Sequence, residues 1–191
     1  MKNEFNNAAI LMCGPSGAGK TTIMNALLSM DRNFQQCIGV TTREMRDGEE
    51  NGVDYHFLSM DELNCLEENN KLLEVDFFNG QYYGYTNNDI NSLIDANKIP
   101  ILCATLAGVE RMSLLEELKT YSVFVKPPSM LALELRLTSR NEHKEEQIKE
   151  RLETAVEEMK HSEDFDLSVV GEHKIIAAKK IRESFLKFNC V

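Results

Sequence analysis

The sequence predicts an α/β fold in which a parallel β-sheet is flanked by helices. Segments with strand and helix patterns alternate along the 191 residues, which is typical of parallel strands joined by crossover helices. A short apolar run at 8–13 has the composition of a strand that is buried on both faces. This run leads through a glycine-rich loop into a segment with helical spacing at 20–30, an order that points a helix N-terminus at the loop.

The remaining elements follow in a regular order. Core strands are predicted where apolar side chains form short runs, at 8–13, 36–41, 99–105, 121–125 and 167–170. Helices are predicted where apolar side chains recur at helical spacing, at 20–30, 60–69, 87–95, 109–118, 129–138, 144–161 and 174–186. Pro127 and Pro128 end the fourth core strand, because proline fixes φ and lacks an N–H group.

The pattern changes between residues 42 and 86. Short strands are predicted at 55–58, 72–78 and 81–86, with a turn signal at Asp47-Gly48 before them. The strands at 72–78 and 81–86 are separated only by Asn79-Gly80, a dipeptide typical of a tight hairpin turn. We therefore predict a small mixed β insert on the main sheet.

The glycine-rich loop fits the phosphate-binding pattern G-x-x-x-x-G-K-[ST] at every defined position. Its glycines let consecutive backbone N–H groups point inward at phosphate oxygens. Lys20 is placed to reach the β- and γ-phosphates, and the hydroxyl of Thr21 is a candidate Mg²⁺ ligand. The predicted nucleotide-binding residues are Gly14, Ser16, Gly17, Ala18, Gly19, Lys20, Thr21 and Thr22.

Charge and cysteine usage limit the partners of the chain. The net charge of −10 argues against general binding to nucleic acids or to anionic membranes, since both need a basic surface. The five cysteines are scattered without a C-x-x-C pair, so neither a disulfide framework nor a zinc site is indicated. No signal peptide or membrane span is recognisable. The sequence therefore predicts a cytoplasmic protein without nucleic-acid or membrane partners.

A second anion site is suggested after the predicted strand at 36–41. Arg43 and Arg46 follow this strand, and guanidinium groups match phosphate oxygens in pairs of hydrogen bonds. Tyr55 and Tyr83 add phenol donors. A surface loop with two arginines beside core tyrosines is the other interpretation, and spacing alone slightly favours it.

A longer set of residues resembles the guanylate kinase family. The first block contains the two arginines and reads Thr41-Thr42-Arg43, Arg46, Gly48-Glu49 and Asn51-Gly52-Val53-Asp54-Tyr55-His56-Phe57. Later blocks are Gly80-Gln81-Tyr82-Tyr83-Gly84, Pro127-Pro128-Ser129, Arg136-Leu137, Arg140 and Arg151-Leu152. Together with the loop, these blocks run in the order and near the spacing of the family.

The resemblance implies a P-loop NTPase fold and the reaction ATP + GMP ⇌ ADP + GDP with Mg²⁺. It implies one domain over 1–191 in three parts. These are a CORE at about 8–38, 99–135 and 151–191, an NMP-binding insert at about 39–98, and a LID at about 136–150. GMP or dGMP and ATP are the partners it implies, and the chain is expected to be a monomer or a homodimer.

The resemblance also assigns roles by position. Arg43, Arg46, Tyr55 and Tyr83 would hold the GMP phosphate. Glu74 would accept hydrogen bonds from guanine N1–H and the 2-amino group. Two LID arginines, Arg140 and Arg151, would neutralise charge on the transferring phosphoryl group together with Lys20 and Arg43, and these four are the predicted catalytic residues.

Several positions depart from the family. Gly39 and Tyr85 stand where the family has small hydroxyl residues that help to hold guanine. Cys103 replaces an acidic residue near Mg²⁺, Thr105 replaces an aspartate that contacts guanine, and Gly171 replaces an asparagine. Because wrong bases are rejected by the polar groups they leave unpaired, the substitutions at Gly39, Tyr85 and Thr105 predict a weaker preference for GMP or a preference for another base. The substitution at Cys103 predicts a slow enzyme with a high Mg²⁺ requirement, and Thr105 stays a candidate substrate contact.

Two other functions are compatible with the sequence. One is a kinase of the same fold that acts on another phosphorylated acceptor. The other is a non-catalytic module that binds a nucleotide or a phosphopeptide, which the missing carboxylates at Cys103 and Thr105 favour. The intact Gly19-Lys20-Thr21 opposes this module, because a peptide-binding protein needs no triphosphate-binding loop.

Overall fold

The structure is a computed structural model that describes residues 5, 7–78, 80–139 and 145–190. Its strands are β1 Ala8–Cys13, β2 Phe34–Gln36, β3 Gly39–Thr41, β4 Tyr55–Phe57, β5 Leu72–Phe78, β6 Gln81–Thr86, β7 Ile99–Cys103, β8 Lys119–Lys126 and β9 Leu167–Val170. Its helices are α1 Lys20–Met30, α2 Met60–Glu68, α3 Asn87–Asp95, α4 Leu106–Ser113, α5 Met130–Ser139, α6 Glu145–Lys160 and α7 Lys174–Asn189.

A five-stranded sheet has the strand order β2-β7-β1-β8-β9. All six residues of β1 are buried, as its continuous apolar run predicts. β2 pairs with β7 and β8 pairs with β9, both in parallel. The prediction of an α/β fold with a parallel sheet is therefore confirmed.

The single strand predicted at 36–41 is wrong, because this segment contributes to two sheets. β2 ends at Gln36 and pairs with β7, whereas β3 begins at Gly39 and pairs with β4 and β6. The change happens over two residues, and the N–H of Cys37 still donates to the carbonyl of Ile101 at 3.0 Å. A run of strand-forming residues carries no information about which neighbour each part pairs with.

The third core strand ends earlier than predicted, and helix α4 begins earlier. Thr105 is the N-cap of α4, since its Oγ1 accepts a hydrogen bond from the N–H of Gly108 at 3.0 Å. An N-cap residue satisfies backbone donors that the first helical turn leaves without partners. The predicted strand residues Ala104 and Thr105 therefore belong to the entry of the helix.

The region at 39–86 forms a four-stranded mixed sheet with the order β4-β3-β6-β5. β3 runs parallel to β4, and the other pairs are antiparallel. The register places four residues in one row across the sheet: Phe57, Thr41, Tyr83 and Asp76. Because side chains alternate between the faces of a sheet, Glu74 and Asp76 of β5 lie on the same face.

The chain divides into two compact units, one from 1–9 and 33–120 and the other from 10–32 and 121–191, each as far as it is described. In the second unit α5 and α6 pack through a core of Leu133, Leu137 and Ala155. The division into CORE, insert and LID remains a prediction, and the predicted LID residue Arg140 lies outside the described residues. Among the described helices, none combines the length and apolarity needed to cross a membrane.

Candidate functional site

The predicted phosphate-binding loop has the backbone conformation that its glycines allow. Gly14, Gly17 and Gly19 have φ values of 131°, 88° and 110°, which other residues rarely adopt. A Cβ at Gly14 would lie 2.3 Å from the carbonyl oxygen of Val125, so no side chain fits there. Gly19 is the N-cap of α1, and the loop therefore ends at a helix N-terminus, a place suited to an anion.

Lys20 and Thr21 open helix α1. The ammonium group of Lys20 donates to the carbonyl oxygens of Gly14 and of Pro15, the latter at 3.1 Å, so it is held against the loop. Thr21 is exposed on the first turn of the helix. Its hydroxyl oxygen is the kind of hard ligand that Mg²⁺ prefers, and this donor beside a phosphate-binding loop fits that ion.

Two arginines contact the same loop. Arg136 donates from Nη1 to the carbonyl oxygens of Gly17 and Ala18 at 3.1 and 3.2 Å, and from Nη2 to that of Gly171 at 3.1 Å. Arg151 donates to Oγ of Ser16 at 3.0 Å. The predicted residue Arg151 is thus placed at the loop, while Arg136 was missed as a site residue although it opens the Arg136-Leu137 block that matched the family.

A cavity of about 730 Å³ opens beside the loop. Its size is in the range of small-molecule sites. Gly17, Gly19, Thr22, Ile23, Arg136, Ser139 and the segment 171–176 line it. The absence of a side chain at Gly171 has a steric reason, because a Cβ there would lie 2.0 Å from the carbonyl oxygen of Ala18.

Glu158 of α6 is a further group near the loop that sequence reasoning missed. Its side chain is half-buried. Burial raises the pKa of Glu158 above its ordinary value, and the positive charge of Lys20 opposes that rise. Glu158 lies more than 130 residues after the loop in the sequence, so no local pattern could indicate that the two are close.

In the other unit, Arg43 forms a two-pronged ion pair with Glu49. Nη1 and Nη2 of Arg43 lie 2.9 and 2.8 Å from the two carboxylate oxygens. The guanidinium also lies over the rings of Tyr55 and Phe57, 5.7 and 5.5 Å from their centroids. The side chain of Arg43 is only 12% exposed, so this is not the plain surface loop of the second interpretation.

Glu49 organises the loop around this arginine. Burial by itself would raise the pKa of Glu49, but hydrogen bonds from the Arg43 side chain and the Arg46 amide, with the charges of both arginines, hold it below its ordinary value. The Arg46 N–H donates to Glu49 at 2.9 Å. The carboxylate therefore stays ionised and keeps the loop folded around Arg43.

Two predicted tyrosines stand beside the ion pair. The rings of Tyr55 and Tyr83 meet edge to face with centroids 6.0 Å apart. Burial, helped by the negative charges that Cys103 and Tyr83 would carry, raises the pKa of Tyr55 to about 12. Its phenol thus remains a hydrogen-bond donor at neutral pH. The structure therefore brings Arg43, Arg46, Tyr55 and Tyr83 together.

Glu74, the predicted base contact, is nearly enclosed and ion-paired. Its side chain is 4% exposed, and Oε1 lies 2.5 Å from Nη2 of Arg111. The same Nη2 lies 3.4 Å from Oδ1 of Asp76. Burial raises the pKa of Glu74 despite the guanidinium beside it. Sequence reasoning missed both Asp76 and Arg111.

Thr105 contacts this cluster through its hydroxyl group. It donates to Oδ2 of Asp76 at 2.5 Å while it accepts from the N–H of Gly108. The predicted substrate residue Thr105 is therefore occupied by two protein contacts, of which one fixes the orientation of Asp76.

Gly39 and Tyr85 form a matched pair. Tyr85 is 6% exposed, and its hydroxyl donates to the carbonyl of Cys103 at 3.0 Å and accepts from its N–H at 2.8 Å. A Cβ at Gly39 would lie 2.9 Å from the carbonyl oxygen of Gly84 and 3.2 Å from Cε1 of Tyr85. The tyrosine thus fills space that a side chain at Gly39 would need, and it holds the end of β7.

Comparison with known proteins gives one consistent result. Residues 6–187 match the family model described as Guanylate kinase. A guanylate kinase of Mycoplasmoides gallisepticum is 37% identical over 182 residues, which cover 94% of this chain and 92% of the relative. One of Prochlorococcus marinus is 35% identical over 182 residues, covering 95% and 97%. The crystal structure of guanylate kinase from Anaplasma phagocytophilum matches with a TM-score of 0.79 at 26% identity, over 96% of this chain and 87% of that chain.

Proposed function

This chain belongs to the guanylate kinase family, and from that premise we propose that it is an ATP-dependent kinase that catalyses ATP + GMP ⇌ ADP + GDP. The intact phosphate-binding loop with Lys20 against it carries this proposal. A loop that binds a triphosphate has no use in a module that only binds peptides. The arginine–tyrosine cluster around Arg43 disfavours an acceptor that lacks a phosphate group.

The donor nucleotide would bind the second unit. Inward N–H groups of the loop, the ammonium of Lys20 and the guanidinium groups of Arg136 and Arg151 would hold its phosphates, and the adjoining cavity would take its nucleoside. Mg²⁺, held by Thr21 and the nucleotide, would neutralise phosphate charge. Arg140 is expected to add a further cation, by resemblance alone.

The acceptor nucleotide would bind the first unit. Arg43 and Arg46 would hold the phosphate of GMP with the phenols of Tyr55 and Tyr83, and Glu74 would accept hydrogen bonds from the guanine edge. The phosphate would share Arg43 with Glu49, so the arginine is preorganised before the substrate arrives. No covalent nucleophile is needed, because phosphoryl transfer depends on positioning and on stabilising the spreading charge.

We further propose that the protein acts in the cytoplasm on GMP and dGMP, as a monomer or a homodimer. All five cysteines lie in the described part of the chain, and none forms a disulfide. This is the usual condition of cysteines in a reducing compartment.

Product formation by the purified full chain tests the proposed function. Mg·ATP is mixed with GMP, dGMP, AMP, CMP, UMP, IMP or ribose bisphosphate, and ADP release is measured. We expect release with GMP and dGMP. A protein that binds GMP but forms no ADP with any acceptor would be a binding module, and release with ribose bisphosphate alone would identify another kinase.

The substitution Cys103→Asp tests the predicted cost of the missing acidic residue. We expect it to raise kcat by roughly 10- to 150-fold, the equivalent of about 1.5–3 kcal/mol, and to lower the Mg²⁺ concentration needed for half-maximal rate. The reason is that a carboxylate suits this hard ion better than a thiol. Initial rates over a Mg²⁺ series check it, with Cys190→Asp as the control. An unchanged or lower kcat in a folded variant would mean that the thiol of Cys103, in place of a carboxylate, does not limit the rate.

A further inference from the structure

Four side chains meet beside β5 in a cluster that the family assignment does not explain as a whole. Glu74 and Asp76 lie two residues apart on one face of that strand. Arg111, from the last turn of α4, contacts both carboxylates, and Thr105, the N-cap of α4, donates to Asp76. The cluster thus joins Glu74, the predicted guanine contact, to Asp76 and Arg111, which have no assigned role.

Arg111 makes this pair of carboxylates possible. An ionised group as enclosed as Glu74 is costly unless a partner compensates it, and Nη2 of Arg111 lies 2.5 Å away. That same nitrogen donates to the carbonyl of Val75 at 3.2 Å. All of these contacts use Nη2, whereas a guanidinium carries five N–H donors. The side chain is 47% exposed, so its outer part faces solvent.

The cluster has the donor and acceptor pattern of a guanine reader. The Watson–Crick edge of guanine presents O6 as an acceptor, with N1–H and the 2-amino group as donors. Two carboxylates and one guanidinium offer the complementary set. Adenine presents a donor at position 6, where guanine has the acceptor O6, and an acceptor at N1, where guanine has a donor. In the same position it would therefore face the guanidinium with a donor and a carboxylate with an acceptor. Hypoxanthine lacks only the 2-amino group, so it isolates the contact to that group.

We propose that Asp76 is a second base-reading carboxylate, which accepts a hydrogen bond from the guanine 2-amino group while Glu74 accepts from N1–H and Arg111 donates to O6. This inference rests on the proposed function. It changes one expectation from the sequence, which counted Thr105 as a lost guanine contact. Thr105 is the N-cap of α4 and orients Asp76, so strand β5 supplies the carboxylate that position 105 lacks and GMP selectivity is retained.

Glu74 and Asp76 differ in exposure, which is consistent with contacts to different groups of the guanine edge. The Glu74 side chain is 4% exposed and the Asp76 side chain 24%. Oδ2 of Asp76 is oriented by Thr105, and each carboxylate oxygen can accept more than one hydrogen bond. If Asp76 were only a counter-ion for Arg111, its loss would affect all purine substrates alike.

The substitution Asp76→Asn in the full chain separates these roles. Asn keeps the size but presents an amide donor. We expect kcat/KM for GMP to fall roughly 10- to 100-fold, the scale of a hydrogen bond to a charged group, and that for IMP to change by less than about threefold. Asp95→Asn, an exposed acid at the end of α3 in the same unit, is the matched control and should change neither. Equal losses for GMP and IMP would overturn the proposal.

Rescue by Thr105→Asp gives a sharper test. Aspartate is a good N-cap residue, so this change keeps the start of α4 and returns a carboxylate to the cluster. In the Asp76→Asn background we expect it to restore most of the preference for GMP over IMP. If the single variant does not fold, Asp76→Ser takes its place in the same comparison. Failure to restore the preference in a folded double variant would overturn the proposal.

Activity assays distinguish an error in the proposed function from an error in the role of Asp76. If no nucleoside monophosphate is phosphorylated by the unaltered chain, the proposed function is wrong. If GMP is phosphorylated and Asp76→Asn leaves the ratio of GMP to IMP unchanged, only the role of Asp76 is wrong. The unaltered enzyme is expected to prefer GMP over IMP by at least roughly tenfold, and equal use of the two would also count against Asp76.

Discussion

Lys20→Ala is expected to lower kcat by roughly 100- to 1,000-fold or more, the range for removing one transition-state donor. The ammonium group is held at the phosphate-binding loop by the carbonyls of Gly14 and Pro15, where it would meet the β- and γ-phosphates of ATP. A point charge at this place stabilises the charge that spreads during transfer. ADP formation at saturating ATP and GMP measures the effect.

The control for this loss is a lysine of the same unit outside the site. Lys160 is exposed and pairs with Glu157 at the end of α6, and such surface pairs contribute little. Lys160→Ala should therefore keep its kcat within about twofold. Thermal unfolding of both variants shows whether each protein is still folded. Normal turnover of a folded Lys20→Ala protein would contradict the assignment of the loop to ATP.

Arg43→Ala has the second largest expected effect. Losing a charge-assisted and largely desolvated contact to the acceptor phosphate should cost about 2–4 kcal/mol of transition-state stabilisation. That corresponds to roughly 30- to 1,000-fold in kcat/KM for GMP. We expect the KM for ATP to change little, because no ATP-binding residue is altered. Steady-state kinetics with each nucleotide varied in turn measure both values.

Two further variants test whether the expected fall in kcat/KM for GMP is specific to the guanidinium of Arg43. Arg182→Ala removes an arginine of the second unit, whose Nη2 lies 2.9 Å from Oδ2 of Asp31, so it should leave the KM for GMP unchanged. Glu49→Gln removes the partner of Arg43 but keeps the guanidinium, so it should weaken GMP binding less than Arg43→Ala. Normal GMP kinetics in folded Arg43→Ala would mean that Arg43 does not hold the acceptor phosphate.

Local patterns were sufficient for most elements. Helix α1 begins and ends at the predicted residues, and so do β1, β5, β6, α3 and β9. In each case the limits come from neighbouring residues, such as the glycine before α1 or the Thr86 N-cap of α3. The prediction failed at 36–41, where the chain changes sheets at Cys37 and Ile38, because strand patterns do not specify the pairing partner.

The phosphate-binding loop could be recognised from its motif, and the arginine–tyrosine cluster from its resemblance to the family. Their residues lie close together in the chain or follow a recognisable family order. Arg43 with Tyr55, and Lys20 with Thr21, could therefore be named before any fold was known.

The contacts of the substituted positions depend on packing and could not be predicted from the sequence. Tyr85 is a core residue whose ring lies beside Gly39 on the neighbouring strand. Asp76 joined Glu74 because α4 carries Thr105 and Arg111 to β5. These contacts join residues far apart in the chain, and their geometry depends on how strands and helices pack. A list of lost family residues cannot contain them, because it records single positions and not the contacts between residues far apart in the chain.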